Sequence, residues 1–405
     1  MSEHIIQRLG HHGDGIAPGP VFAPMTLPGE TVSGSLDGTR LSEVKIVRPS
    51  TDRVAAPCRH FRSCGGCQVQ HASDAFVSDW KAGIVVDALR AHGLEVEIAG
   101  IETSPPRSRR RATLSARRTK KGALAGFHGR ASGVIVDIPD CQLLHPDLMP
   151  ARLVAEALAV IGGSRKAELH VMATLSESGI DVLVSGGKPL DRDLEVELAE
   201  VAARHDLARL AWGDELELSR RPPLQRFGPA LVLPPPGAFL QATHAGEAAL
   251  MAAVSKITRG AAQIADLFAG VGTFALPLAQ RSEVLAVEGV AAMTKALDRG
   301  WRDTPGLKKV RSVTRDLFRN PMIAEDLRKI DAIVIDPPRA GAEAQIEELA
   351  KARVPVIAHV SCNPVTFARD AGHLIAAGYV MDPITVIDQF RWSSHVEMVA
   401  GFRLT

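Results

Sequence analysis

The sequence predicts an α/β protein in three parts: a small N-terminal β-barrel, a mixed α/β central segment and a C-terminal doubly wound sheet. Three observations lead there. From about residue 236, five short apolar runs alternate with helical stretches, the pattern of a mostly parallel sheet. The glycine-rich turn "ADLFAGVGTFA" closes the first of these runs and opens a helix. The first fifty residues hold short apolar stretches punctuated by Gly13, Gly15, Pro18, Gly19 and Pro20, which suits several short strands.

Residues 1–56 contain "ETVSGSLDGTRLSEVKIV", two strands around Asp37-Gly38 with a type I′ hairpin signal. An OB-like barrel is expected, and an arm docked on the rest of the chain is the plainer alternative. In residues 57–235, a helix is expected from Ser73, stopped by Gly93. "LHVMATLSESGIDVLVSGG" reads as a hairpin and "DRDLEVELAEVAARH" as an amphipathic helix. Pro234, Pro235 and Pro236 break regular structure and mark a boundary. Residues 236–405 then carry the alternating runs "AQIADLFAG", "EVLAVEGV", "KVRSVTRD", "IDAIVIDPP" and "VPVIAHVSCNP".

Composition narrows the class. A chain of 405 residues with 46% hydrophobic and 23% charged residues supports two or three globular domains. No run approaches 18 apolar residues, so no membrane span is expected. The N-terminus lacks the charged and apolar regions of a secretory signal, and a cytoplasmic monomer is expected. Five cysteines there argue for metal binding or catalysis over a disulfide scaffold.

Gly270 and Gly272 allow a tight turn and close ligand approach, and Glu288 ends the next strand, where a carboxylate can bind ribose hydroxyls. Gly270 to Ala275 also satisfies a dinucleotide fingerprint, so a dehydrogenase competes on this motif alone. Asp266 before the glycines, and Asp316 after the third strand, resemble class I methyltransferases and favour S-adenosylmethionine. "DPPRAG" and "SCNP" end the fourth and fifth strands and so lie at the same sheet edge. Arg339 stands where amine-directed methyltransferases carry an aromatic residue.

Cys362, in "SCNP", is a candidate nucleophile, with an inert buried thiol as the alternative. Pyrimidine C5 is too weakly nucleophilic to take a methyl group directly. A thiolate adding at C6 gives C5 carbanion character, and a base must later remove the C5 proton. Glu397, in "HVEMVAGF", is placed to be that base; taken alone it reads more readily as a surface carboxylate.

At these residues the sequence resembles the RNA uracil-C5 methyltransferases, which make 5-methyluridine in ribosomal and transfer RNA. "DLFAGVGTFALPLA", "DPPRAG", "SCNP" and "HVE" match that family in order and spacing. The resemblance implies a class I methyltransferase domain, Cys362 as nucleophile and Glu397 as base. It assigns the cofactor pocket to Gln241, Phe268, Gly270, Gly272, Thr273, Glu288, Asp316 and Asp336. "AFLQ" matches an F-x-Q stretch, which implies that Phe239 stacks on an extruded base and Gln241 lies near cofactor and target. Asp336 is also implied as a uracil ligand. "GHHGDGIA" and "LPGE" resemble a TRAM domain. Thr273 and Arg391 stand where the family commonly has asparagine and proline.

Cys58, Cys64 and Cys67 fall in "CRHFRSCGGCQVQH", and Cys141 stands in "DCQLLHP". On spacing alone, a four-cysteine zinc site remains open. The resemblance implies a [4Fe–4S] cluster on these four. The TRAM-like module and the cysteine cluster make the chain resemble ribosomal RNA members more than transfer RNA ones. From Pro105 to Arg130 there are nine Lys or Arg and no Asp or Glu, beginning with Arg107, Arg109, Arg110 and Arg111. A phosphate-binding surface is expected, against the plainer reading of a solvated face. With one tyrosine and four tryptophans, shape and phosphate contacts are expected to outweigh base stacking.

Overall fold

The computed structural model describes residues 2–404. The C-terminal sheet has a strand order of Val310–Thr314, Glu283–Glu288, Gln263–Leu267, Ala332–Ile335, Val356–Ser361, Glu397–Leu404, Ile384–Asp388 and Ile98–Thr103. The first five strands are mutually parallel, and Glu397–Leu404 runs antiparallel between its neighbours. Tyr379–Met381 also pairs with it. Ala332–Ile335 is buried along its whole length, as a strand covered by helices on both faces must be. The direction of winding reverses between Gln263–Leu267 and Ala332–Ile335. Their carboxyl ends open a crevice at that point, where doubly wound sheets bind ligands.

Residues 57–235 are not one packing unit, contrary to the expected division. Helix Asp74–Arg90 is capped by Ser73, whose hydroxyl accepts from the Phe76 amide at 3.2 Å, and it packs on helix Pro364–Ala376. Strand Ile98–Thr103 completes the C-terminal sheet beside Ile384–Asp388. Hairpin Gln225–Phe227/Ala230–Val232 buries Phe227 and Val232 with Val271 and Leu276. Strand pairing across almost three hundred residues leaves no local trace in the chain, so the expected boundaries followed sequence order instead of packing.

Between these excursions lies a seven-stranded sheet, from Ile135–Val136 at one edge to Leu216–Ser219 at the other. Its strands include Arg111–Arg118, Ala123–His128, Leu169–Ser176 and Gly179–Ser185. Helices Ala151–Gly162 and Arg192–Arg204 pack together on it. Helix Ala151–Gly162 buries Val154, Ala155, Leu158 and Ala159, positions spaced by three and four, which is the stripe that an amphipathic helix turns to a core.

The N-terminal six-stranded sheet begins with Glu3–Ile5 and ends with Arg8–Leu9. These edges are joined through Ile6 and Gln7, whose amides donate to Glu30 and Ile16 on opposite sides. The sheet is thereby curled into a barrel-like form around Ile6, Val32 and Leu41. Its hairpin pairs Asp37 with Arg40, so the loop residues are Gly38 and Thr39. Gly38 has φ +57° and Thr39 is not left-handed, which fits a type II′ turn one residue later than expected.

Candidate active site

One cavity of about 480 Å3 lies at the crevice. Its wall includes Phe268, Gly270 and Thr273 from the glycine-rich turn, Glu288 and Asp316 from the next two strand ends, and Asp336 from the fourth. Gln241, Phe239, Cys362 and Glu397 complete it. The structure thus brings together ten of the eleven residues assigned to catalysis, cofactor or target base. The exception is Gly272. It has φ +101°, and a Cβ there would stand 2.8 Å from Leu276, so it serves close packing behind the turn and does not line the cavity.

Each wall residue is placed by its strand end. Glu288 fixes the turn: its carboxylate accepts from the Gly270 amide at 3.0 Å and the Val290 amide at 2.9 Å. Asp316 accepts from the Phe318 amide at 3.0 Å. Phe268 is held left-handed at φ +63°, a conformation that costs free energy in a bulky residue and clusters at functional sites. Its ring centroid lies 5.4 Å from that of Phe318. Asp266 is wholly buried beneath the turn, and burial with the nearby Asp336 and Glu288 charges holds its carboxyl well above the usual range.

Cys362 occupies the bend between strand Val356–Ser361 and helix Pro364–Ala376. Asn363 caps that helix by accepting from the Val365 amide at 3.1 Å, and its side-chain amide donates to the Arg339 carbonyl at 2.9 Å. The bend ties "SCNP" to "DPPRAG". Burial and the Glu397 and Asp336 carboxylates push the Cys362 thiol up to about 11, with Arg339 opposing them. A thiolate therefore needs added positive charge at the site. The helix N-terminus and a cationic sulfonium both act in that direction.

The two carboxylates are linked by a chain of amides. The Gln389 carbonyl oxygen accepts from the backbone amides of Ala242 at 2.6 Å and Thr243 at 3.3 Å. That fixes its NH2 group toward the Glu397 carboxylate and the Gln241 side-chain oxygen, and both accept from it. Gln241 in turn donates to Asp336 at 3.2 Å. Burial and Asp336 push Glu397 up to about 8, opposed by the Gln389 hydrogen bond. Burial pushes Asp336 up to about 7, opposed by Gln241. The hydrogen bond to each carboxylate comes from an amide N–H, which favours the ionised form against burial. Phe239 is 58% exposed at the cavity mouth, and the Arg111 guanidinium stands 5.3 Å from its ring centroid.

The three arginines expected at RNA behave differently. Arg110 is wholly buried: it donates to the Gln241 carbonyl at 3.0 Å and pairs with Glu247 and His244. That corrects its assignment, because this guanidinium is occupied in holding the 241–247 segment. Arg111 donates to the Leu240 carbonyl at 3.2 Å, and Arg109 lies 5.8 Å from the Phe390 ring centroid. Both are half-buried beside the site.

Gln389 and Lys81 escaped the sequence reading. Gln389 is an ordinary polar residue in "VIDQFRW", with no local signal to single it out. Lys81 left a signal: it sits four residues from Val77 and from Val85, on the buried face of its helix. It pairs with Asp388 and donates to the His395 carbonyl at 2.9 Å, tying that helix to the loop before Glu397.

Cys58, Cys64, Cys67 and Cys141 line one small cavity with Phe61, Phe127, Ile138 and Leu143. Arg130 donates to the Phe61 carbonyl at 3.2 Å and to that of Cys67. A Cβ on Gly65 would stand 3.0 Å from the His128 carbonyl oxygen, so these segments approach closely and a side chain there would be a tight fit. Among the described residues, no three His, Cys, Asp or Glu side chains are arranged to hold one metal ion.

A parallel sheet with this reversal, a glycine turn tied to an acidic strand end, and a thiol facing the same crevice define a class I, S-adenosylmethionine-dependent methyltransferase. Comparison with known proteins narrows the class. The family model described as tRNA (Uracil-5-)-methyltransferase matches residues 303–404. An uncharacterized RNA methyltransferase of Rhizobium meliloti is 43% identical over 404 residues, covering 98% of this chain and 97% of the relative. The 23S rRNA (uracil(1939)-C(5))-methyltransferase RlmD of Halomonas elongata is 34% identical over 446 residues, covering 98% and 88%. The crystal structure of Pyrococcus abyssi tRNA (uracil-54, C5)-methyltransferase with S-adenosyl-L-homocysteine shares the fold, with TM-score 0.74, 24% identity and coverage of 99% and 100%. The chain belongs to the RNA uracil-C5 methyltransferases. No described helix is long and apolar enough to cross a membrane.

Proposed function

We propose that the protein methylates a uridine at C5 in a structured RNA, with 23S ribosomal RNA favoured. The observation that carries this is the shared cavity of Cys362, Glu397, Asp336 and the glycine-turn wall. Bound S-adenosylmethionine would supply the methyl group and a positive charge that favours the Cys362 thiolate. Phe268 and Phe318 offer flat apolar faces for its adenine, and Glu288 a carboxylate for its ribose. Phe239 and Arg111 at the mouth suit an extruded uracil, which must leave its stack for the thiolate to reach C6.

Cys362 adds to C6, and the C5–C6 electron pair moves to C5, which bonds the methyl carbon as the sulfonium C–S bond breaks. Glu397 then takes the C5 proton, the C5=C6 bond re-forms and Cys362 leaves as thiolate. Asp336 and Gln241 are placed to hydrogen-bond the uracil edge. The N-terminal barrel-like sheet serves as a TRAM-type RNA module. The four thiols around one apolar cavity would hold a [4Fe–4S] cluster, as the family resemblance implies. Equal iron and acid-labile sulfide in anaerobically prepared protein, lost in Cys67→Ser, is the expected result.

The test of the reaction is tritium release from RNA labelled at uridine C5, using undermodified ribosomal and transfer RNA in parallel. Release that requires S-adenosylmethionine and disappears in Cys362→Ala is expected, with ribosomal RNA the better substrate. The ribosomal preference follows the match to the 23S rRNA enzyme over nearly the whole chain. Exclusive release from transfer RNA would move the assignment to that substrate.

A further inference from the structure

The basic run 105–130 divides in space. Its first part, Arg109 to Arg111, packs beside the catalytic cavity. Its second part lies at the other end of strand Arg111–Arg118, seven residues on, roughly 24 Å away at about 3.4 Å per residue. There Arg118, Thr119 and Lys120 meet two other loops in a cleft of about 420 Å3. Gly163, Ser164 and Arg165 form its second wall, and Lys188 its third. Arg118, Lys120, Arg165 and Lys188 are all exposed, and no Asp or Glu lines the cleft. Among the described residues none of these four cations pairs with a carboxylate. Arg117 does, with Glu168 at 3.9 Å, and stands outside the cleft.

The second and third walls are braced from behind by one buried ring. The Trp212 indole donates to the Lys188 carbonyl at 3.0 Å. A Cβ on Gly162 or on Gly187 would overlap that indole. The end of helix Ala151–Gly162 and the segment before Lys188 are therefore both pressed onto one ring, with no room for a side chain at Gly162 or Gly187. The Arg118 amide donates to the Ser164 carbonyl at 3.3 Å, which ties the first wall to the second. The Lys188 ammonium donates to the Ile161 carbonyl at 3.0 Å, one of its three donors. Four cations held around one cleft without counter-charge repel one another, and an anion relieves that repulsion.

We propose that this cleft is a second RNA-binding site, taking backbone phosphates of the substrate at a distance from the methylated uridine. The proposal rests on the RNA reading given above. It makes substrate selection a matter of shape: an RNA must present its uridine to Cys362 and a phosphate ridge to the cleft at once. A short strand carrying the uridine reaches only the catalytic cavity.

The experiment compares the wild-type chain with Arg118→Ala/Lys120→Ala/Arg165→Ala and with the same variant carrying Lys188→Ala. Undermodified 23S ribosomal RNA, tritiated at uridine C5, is the probe, and S-adenosylmethionine binding reports an intact fold. The triple variant should keep kcat at saturating RNA and raise KM. The slope of log affinity against log salt should fall by about 0.7–0.9 per lost phosphate contact, about 2 to 3 for three cations. On the shortest transcript that still accepts a methyl group, wild type and variants should be alike. An unchanged affinity and salt slope on full-length RNA would overturn the cleft. A wild-type enzyme that releases no tritium from ribosomal or transfer RNA would overturn the parent reading instead, because the variants then have nothing to change.

Discussion

Glu397 carries the sharpest expectation at the level of single residues. If it removes the C5 proton, Glu397→Gln leaves addition and methyl transfer intact and blocks release. A covalent protein–RNA adduct should then accumulate on denaturing gels, with turnover slowed by about 10²–10⁴-fold, the usual contribution of a positioned base. Gln389 acts on the same step. Its N–H group stabilises the Glu397 carboxylate, so Gln389→Met should raise the Glu397 pKa above its present value of about 8. Proton removal needs the carboxylate, so the rising limb of single-turnover tritium release should move to higher pH. An unmoved limb would mean that Gln389 only packs the loop.

Among the elements, helix Asp74–Arg90 is tied to the catalytic loop by a buried ion pair, in addition to the more exposed pair of Asp74 with Arg391. Lys81 and Asp388 are both buried, and Lys81 also serves the Phe390 and His395 carbonyls. Removing one partner leaves a buried charge alone, which costs about 3–5 kcal/mol. Lys81→Met should therefore lower the unfolding free energy by about that amount in urea titration. Lys81→Met/Asp388→Leu should recover part of it, since no charge is then stranded. Additive losses in the double variant would show that the two side chains do not interact.

Across the whole molecule, the buried carboxyls make stability depend on pH. Burial raises Asp336 from 3.8 to about 7 and Glu397 from 4.5 to about 8. The folded chain keeps protons that the unfolded chain has released, so this contribution is full at low pH and is lost as pH rises through 7 and 8. His71 and His359 are pulled down to about 4 by burial and act oppositely below pH 6.5. The clean window is therefore about pH 6.5–8. Unfolding free energy should fall across it, and Asp336→Asn/Glu397→Gln should flatten the fall. A rise in wild-type stability over that window would contradict the burial of these groups.

The catalytic edge was legible because its parts are local. A strand end, a tight turn and a helix cap are each written in a short stretch, as in "DLFAGVGTFA", "DPPRAG" and "SCNP". Parallel strands then deliver such ends to one edge whatever lies between them. The cysteines were legible as a group from spacing, although spacing could not tell which group they suit. The tertiary structure alone decided what depends on distant contact. It placed Ile98–Thr103 and the Asp74–Arg90 helix with the C-terminal sheet, buried Arg110 against Glu247, and aimed Gln389 through two backbone amides. It also gathered four cations from three segments into one cleft. Those features rest on hydrogen bonds and burial between segments far apart in the chain. Local composition carries no record of such partners, whereas a turn or a cap is specified by the residues that form it.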